Sequence, residues 1–190
     1  MGNPLIPTFF YFSIVKTKRI RLRKFTNNDV NLIYQLDSDA DVMRYITLGI
    51  PKTIKEAKEY LSKRILESYS SDNDFGIFAA FLIKNNEFIG WFLFEKDKEV
   101  HPNLHNIKNV IEIGWRLRKE YWGRGYATEI AIALVDKAKK MKRSVVAHTM
   151  IENQASIRVM EKAGLSFVKE FWGNYEPHSN KPDVLYKKIH

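Results

Sequence analysis

IEIGWRLRKEYWGRGYATEIAIALVDKAK, residues 111–139, decides the fold of this 190-residue chain. Ile111, Ile113, Trp115 and Leu117 share one face of an extended segment, and Glu112, Gly114 and Arg116 share the other. Tyr121-Trp122-Gly123-Arg124-Gly125-Tyr126-Ala127 then turns the chain. Beyond it Ala127, Ile130, Ala131, Leu134, Val135 and Ala138 recur at helical spacing. The segment reads as a strand, a glycine-bearing turn and a helix in direct succession. Such a turn aims free backbone N–H groups at one point, where the helix dipole favours a phosphate. Glycine also allows close approach to a ligand and positive φ. Two glycines alone are equally consistent with an ordinary tight strand-to-helix turn. The spacing speaks against a Walker loop, which ends in Gly-Lys-Ser/Thr. It also lacks the third glycine and the βαβ surroundings of a dinucleotide site.

Upstream of this unit, Lys18 to Lys24 alternates with Ile20 and Leu22 inward and predicts a first strand. Thr26-Asn27-Asn28-Asp29 caps a short helix carrying Val30, Ile33, Tyr34 and Leu36. Asp41 to Ile46 predicts a further helical turn. Pro51 opens a more polar helix to about Tyr69, with Ile54, Ala57, Leu61 and Ile65 as its stripe. Phe75 to Ile83 and Glu87 to Phe94 form a hairpin around Lys84-Asn85-Asn86. Glu95 to Asn109 is a polar loop in which His101 and His105 are plain loop residues.

Downstream, Ser144 to Met150 is a fifth strand. His148 on it packs or faces the sheet, with no catalytic partner visible. Asn153 caps a helix that Gly164 ends. Leu165 to Phe171 and Val184 to Ile189 are the last strands, antiparallel across a loop holding Pro177 and Pro182. No repeat, low-complexity segment or linker divides the chain.

Residues 1–15 are expected as an apolar arm and residues 16–190 as one domain. Leu5 to Val15, LIPTFFYFSIV, is shorter than the about 20 residues of a membrane span. It lacks the basic lead and small-residue cleavage site of a secretory signal. We expect it to pack on the body or on a second subunit, the alternative being a membrane-surface anchor. Hydrophobic content of 45% and charged content of 28% suit a globular domain with a sizeable core. The chain has no cysteine, so disulfides, thiolate metal sites and a covalent cysteine intermediate are excluded. That absence fits a reducing cytoplasm. A formal net charge of +9 suits polyanions such as nucleic acid, acidic lipid or a phosphorylated cofactor. The charges are spread along the chain, and a solvated basic surface accounts for them equally well.

The motifs, in this order, resemble the GNAT superfamily of acetyl-CoA-dependent N-acetyltransferases. That family's pyrophosphate loop, Gln/Arg-x-x-Gly-x-Gly/Ala, is similar to Trp122-Gly123-Arg124-Gly125-Tyr126-Ala127, with Trp122 where Gln or Arg is usual. Asn153 to Gly164 resembles the second cofactor motif. The resemblance implies an α/β (α+β) fold: a mixed, mostly antiparallel central sheet of about six or seven strands, flanked by about four helices. It also implies a V-shaped splay between the fourth strand, Ile111 to Leu117, and the fifth. Acetyl-CoA would be the acetyl-donor substrate, with no metal. Backbone at Gly123, Arg124, Gly125, Tyr126 and Ala127 would hold the pyrophosphate. Main chain at Trp115, Arg116 and Leu117 would pair with the pantetheine arm, and Asn153 would both cap its helix and contact the cofactor. Arg118, Arg124, Arg158 and Lys162 would add charge near the phosphates, or else are solvated surface residues.

Arg21-Leu22-Arg23, Val42-Met43-Arg44-Tyr45, residues 121–129 and residues 153–164 look like the branch holding ribosomal-protein N-terminal (alanine/serine) acetyltransferases. This implies a protein N-terminus as acceptor, although relatives in the branch also modify small amines such as polyamines or antibiotics. The partners implied are the acceptor amine, a second copy of the chain, and nucleic acid only as part of a ribosomal target. Without cysteine, direct attack in a ternary complex is the economical route. Glu112, on the central strand among apolar neighbours, reads either as the general base or as a structural carboxylate paired with Arg or Lys. The branch resemblance implies that Ser156 protonates the departing thiolate; otherwise it is an ordinary first-turn serine. Tyr186 is another candidate acid. A non-catalytic basic module binding nucleic acid or ribosome is the reading from another class, using aromatics interleaved with Lys and Arg from Phe9 to Arg23.

Overall fold

The computed structural model describes residues 14–69, 74–96, 109–172 and 181–190. Phe9, Phe10 and Phe12 of the expected arm, His101, His105 and Pro177 lie outside the described residues. Eight strands form one sheet: β1 Val15–Lys16, β2 Ile20–Lys24, β3 Gly76–Leu82, β4 Phe88–Lys96, β5 Val110–Leu117, β6 Ser144–Met150, β7 Ser166–Phe171 and β8 Asp183–Lys188. Their order is β1-β2-β3-β4-β5-β6-β8-β7, and every neighbouring pair is antiparallel except β5 with β6. The sheet is therefore mostly antiparallel, as expected, with one strand more than the six or seven foreseen. The extra strand is β1, a two-residue strip where Val15 pairs with Leu22 and Lys16 with Arg21. Two residues are too few to show an alternation that could be read in advance.

Four α-helices flank the sheet: α1 Val30–Asp37, α2 Ile54–Tyr60, α3 Tyr126–Lys140 and α4 Gln154–Lys162. The helix foreseen to Tyr69 is continuous, but after α2 it widens into a π-helical stretch, Leu61–Leu66, and ends in a 3-10 turn, Glu67–Tyr69. β3 and most of β4 are buried on both faces, which explains their unbroken apolar runs GIFAAFL and FIGWFLF. On one side Ile111, Ile113 and Leu117 pack with Ile130, Ala131, Leu134 and Val135 of α3 and with Ile157 and Met160 of α4. On the other, Ile33 and Leu36 of α1 and Ala57 of α2 close over Ile77, Ala79, Trp91 and Leu93. Burying each large side chain contributes about 1.5–3 kcal/mol, so the two stripes hold the layers together.

The hairpin turn places Asn86 at φ +59°, a conformation asparagine tolerates. Gly90 stands where β4 crowds β5, and a Cβ there would lie 2.1 Å from the Arg116 carbonyl oxygen. β4 thus presses on the far half of β5, pairing with it from Gly90↔Leu117 to Lys96↔Ile111. The other edge of β5 is treated differently. β6 pairs with it only at Val110↔Ser144, Ile111↔Val145 and Glu112↔Val146. Both strands continue, to Leu117 and Met150, but no longer as partners. This is the expected splay, and it leaves the β5 edge beyond Glu112 unpaired by β6. Among the described residues no helix is long and apolar enough to cross a membrane.

Candidate active site

The splay opens into a groove of about 360 Å³ between the end of β5, the start of α3, the start of α4 and the turn at Asp41 to Ile46. Its floor at α3 follows from the glycines. Gly123 has φ +70° and Gly125 φ +75°, left-handed conformations that bring the chain sharply from β5 into the helix. The first helical bond runs from the Glu129 N–H to the Gly125 carbonyl at 3.0 Å. The N–H groups of Tyr126, Ala127 and Thr128 therefore lie ahead of the ladder, at the positive end of a 15-residue helix. A Cβ on Gly123 would meet nothing within 4 Å, so this surface faces open space. A row of free amides, an unpaired strand edge and a basic flank fit a phosphorylated, amide-bearing chain such as coenzyme A.

Arg19, which no local pattern singles out, fixes the outside of this turn. Its backbone N–H and Nε donate to the Glu129 carboxylate at 3.0 and 2.5 Å, and Nη1 donates to the Arg124 carbonyl at 3.1 Å. Its guanidinium lies 4.5 Å over the Tyr126 ring. Burial pushes the Glu129 carboxyl up, but the hydrogen bonds from Thr17 and Arg19 outweigh it and hold it below its ordinary value.

Most of the expected contacts come together in the groove. Trp115, Arg116, Leu117, Gly123, Gly125, Tyr126, Ala127, Asn153, Ser156, Arg158 and Lys162 all line it. Arg124 does not; its carbonyl serves Arg19 and its guanidinium lies 5.8 Å from the Tyr121 ring. Arg118 donates to the Phe88 carbonyl at 3.1 Å and pairs with Glu120. Trp122 donates its indole N–H to the Leu117 carbonyl at 2.8 Å, so the side chain that replaces Gln or Arg braces the end of β5.

Asn153 has the capping role foreseen, its Oδ1 accepting from the Ser156 N–H at 3.2 Å. Its amide also donates to Thr149 Oγ1 at 3.0 Å. Ser156 Oγ accepts from the Trp115 indole at 3.2 Å. An indole N–H can only donate, so this contact leaves the serine's own proton available to a third group. Tyr186 lies outside the groove lining, its hydroxyl donating to Glu161 of α4 at 3.4 Å.

Glu112 lies on the opposite face of β5 from Trp115, outside the groove lining, where the splay begins. It stands directly across from Glu95 on β4. Like charges in that position repel. Arg64 relieves this by binding Glu95 through two bonds of 2.7 Å, and the charge of Glu112 contributes to raising its pKa. His148, expected to pack on or face the sheet, stands beside Glu112: its Nε2 is 3.2 Å from Glu112 Oε1. Arg116, on the same face, forms a buried pair with Asp37 of α1 at 2.5 Å and lies over Trp91. Among the described residues no cluster could hold a metal ion.

A family profile described as an acetyltransferase (GNAT) domain matches residues 19–166. A relative in Aspergillus fumigatus, FsC-acetyl coenzyme A-N(2)-transacetylase, is 30% identical over 179 residues, covering 90% of this chain and 73% of its own. The crystal structure of an acetyltransferase (GNAT family) from Bacillus anthracis superposes with a TM-score of 0.73 at 29% identity, over 92% of this chain and 97% of that one. The ribosomal L7/L12 α-N-protein acetyltransferase RimL, solved in complex with coenzyme A, superposes with a TM-score of 0.75 over 93% and 97% of the two chains. At 16% identity it shares the fold.

Proposed function

Because the chain belongs to the acetyltransferase (GNAT) domain family, we propose a specific route for its acetyl-CoA-dependent N-acetyl transfer: direct attack by a primary amine in a ternary complex. Acetyl-CoA supplies the acetyl group already activated as a thioester. In this reading the amides at the start of α3 hold the pyrophosphate, and the free edge of β5 at Trp115 to Leu117 aligns the pantetheine. Ser156, with its proton uncommitted, donates to the departing sulfur. Glu112 takes a proton from the acceptor, which must be neutral to attack.

The observation that carries the reading is the splay itself. β5 and β6 part just past Glu112, so one strand presents the groove edge on one side and a carboxylate on the other. An amine reaching the gap from the α1–α2 face meets Glu112 first.

The acceptor we propose is a protein N-terminus such as that of a ribosomal protein, in a cytoplasmic setting. The motif resemblance supports this, and the fold shared with RimL agrees with it. A small-molecule amine is the second reading, supported by the fold shared with an aminoglycoside acetyltransferase solved in complex with coenzyme A, at a TM-score of 0.70 and 19% identity. Release of free coenzyme A, followed over alanine- and serine-leading peptides, polyamines and aminoglycosides, separates the two. Turnover confined to the peptides supports the first reading. Turnover confined to small amines overturns it.

A further inference from the structure

We infer that His148 is a positioning residue for this reaction, passing on the proton that Glu112 collects while Asp183 orients the ring. The inference rests on the reading of Glu112 as proton acceptor. Its basis is placement. Glu112 opposes Val146 on β6, and His148 follows Val146 by two residues, so both side chains stand on one face of the sheet. β8 brings Asp183 to the same face, opposite Met150. The result is a row of carboxylate, imidazole and carboxylate. Glu112 Oε1 is 3.2 Å from Nε2, and Asp183 Oδ2 is 3.9 Å from Nδ1. The Phe171 ring meets the imidazole edge-on, with centroids 6.0 Å apart, and limits its rotation. Asp183 is fully buried, whereas the Glu112 and His148 side chains are 32% and 29% exposed. The row runs from the sheet interior to the face where the splay opens.

A carboxylate with an ordinary pKa near 4.3 is a weak base for an ammonium group, and an imidazole near 6.5 is the better store. Negative charge beside each ring nitrogen favours the imidazolium. The acceptor enters as R–NH3⁺ and leaves as its acetamide. Its nitrogen gains one N–C bond and loses two protons, and the thioester C–S bond breaks. One proton ends on sulfur. The other moves from nitrogen to Glu112, then to Nε2 of His148, and from the exposed ring to water.

Other charges bear on this row. Glu95 and Arg64 face it from β4 and the run after α2, and Arg116 lies further along β5. Lys187 and Lys169 share the face from β8 and β7 by register. The lysines and arginines oppose the imidazolium, and Glu95 and Asp183 favour it.

The test compares His148→Gln, Glu112→Gln and the double variant, with a short alanine-leading peptide and spermidine as probe amines. His148→Gln should lower kcat at least about tenfold with KM for acetyl-CoA kept. It should also move the acid limb of the pH–rate profile, and the double variant should be no slower than Glu112→Gln alone. A parent-like kcat and pH profile in His148→Gln, beside a slow Glu112→Gln, would overturn the role of His148 and leave the Glu112 reading standing. A fast Glu112→Gln overturns both. Independently of turnover, the imidazole of His148 is followed by NMR in the full chain. Its titration midpoint should fall in Glu112→Gln and in Asp183→Asn; an unmoved midpoint in both contradicts the row.

Discussion

In the proposed reading, the proton chemistry turns on Glu112. General base assistance is worth about 10²–10⁴-fold in rate. Glu112→Gln should slow turnover by that range while calorimetry finds acetyl-CoA affinity nearly unchanged, because the carboxylate is outside the groove lining. The residual rate should climb with pH as the free neutral amine becomes commoner. Ser156→Ala should lower turnover with less effect on the basic limb, since the hydroxyl is assigned to the leaving sulfur. A parent rate for Glu112→Gln across the pH range would leave the carboxylate structural. Strand alternation put Glu112 on the face away from Trp115, and helix phase put Ser156 one turn from Asn153, so both were legible. His148 and Arg19 were not. The neighbour of His148 is set by the register of β6 on β5, and that of Arg19 by a contact 110 residues along the chain. Neither distance leaves a local pattern.

At the scale of elements, the turn into α3 and the cap before α1 each carry a prediction. Gly125 sits at φ +75° with only Arg19 Nη2 near a would-be Cβ, at 3.6 Å. Space is available, so the penalty on Gly125→Val is conformational. A left-handed conformation costs an L-residue roughly 1–2 kcal/mol, and more for a β-branched one. The turn should relax and its amides leave alignment. Acetyl-CoA affinity should drop at least about tenfold with circular dichroism unchanged; tight binding would sink the cradle assignment. The Gly-x-Gly turn showed this element in advance because only glycine serves there cheaply.

Asp29 closes the turn before α1. Its carboxylate takes two bonds from Arg23, at 2.7 and 2.9 Å, and one from the Thr26 N–H at 2.7 Å. Burial pushes its pKa up, but the Arg23 and Thr26 bonds outweigh that and hold it below the ordinary carboxylate value. A lowered folded pKa stabilises above the unfolded value of about 3.9 and is lost as pH falls through the folded one. Urea unfolding should therefore find Asp29→Asn less stable by about 1 kcal/mol at pH 7, with the gap closing toward pH 3. A gap that is constant with pH would assign the loss to something other than charge.

Over the whole molecule, the order of helices and most strands could be read because each carries its own period or turn. The sheet order could not, since β8 enters between β6 and β7 only through long-range pairing. Nor could β1. Val15 is buried and Ile14 packs against the main core, so the apolar start of the chain reaches the body at least there. Removing residues 1–16 deletes these groups, uncovers the core they pack on and leaves one edge of β2 unpaired. The melting temperature should fall by several degrees, as about 1–2 kcal/mol does in a domain of this size. An unchanged melting temperature and sedimentation coefficient would show the segment to be idle.

In the proposed reaction, acetyl-CoA in the groove and an amine from the other face of the splay are held together when the acetyl group moves. Initial rates with both substrates varied test it most directly. Direct transfer predicts double-reciprocal lines that intersect, with each product inhibiting as a ternary complex requires. Parallel lines, the mark of an acetylated enzyme released from coenzyme A before the amine binds, would contradict it.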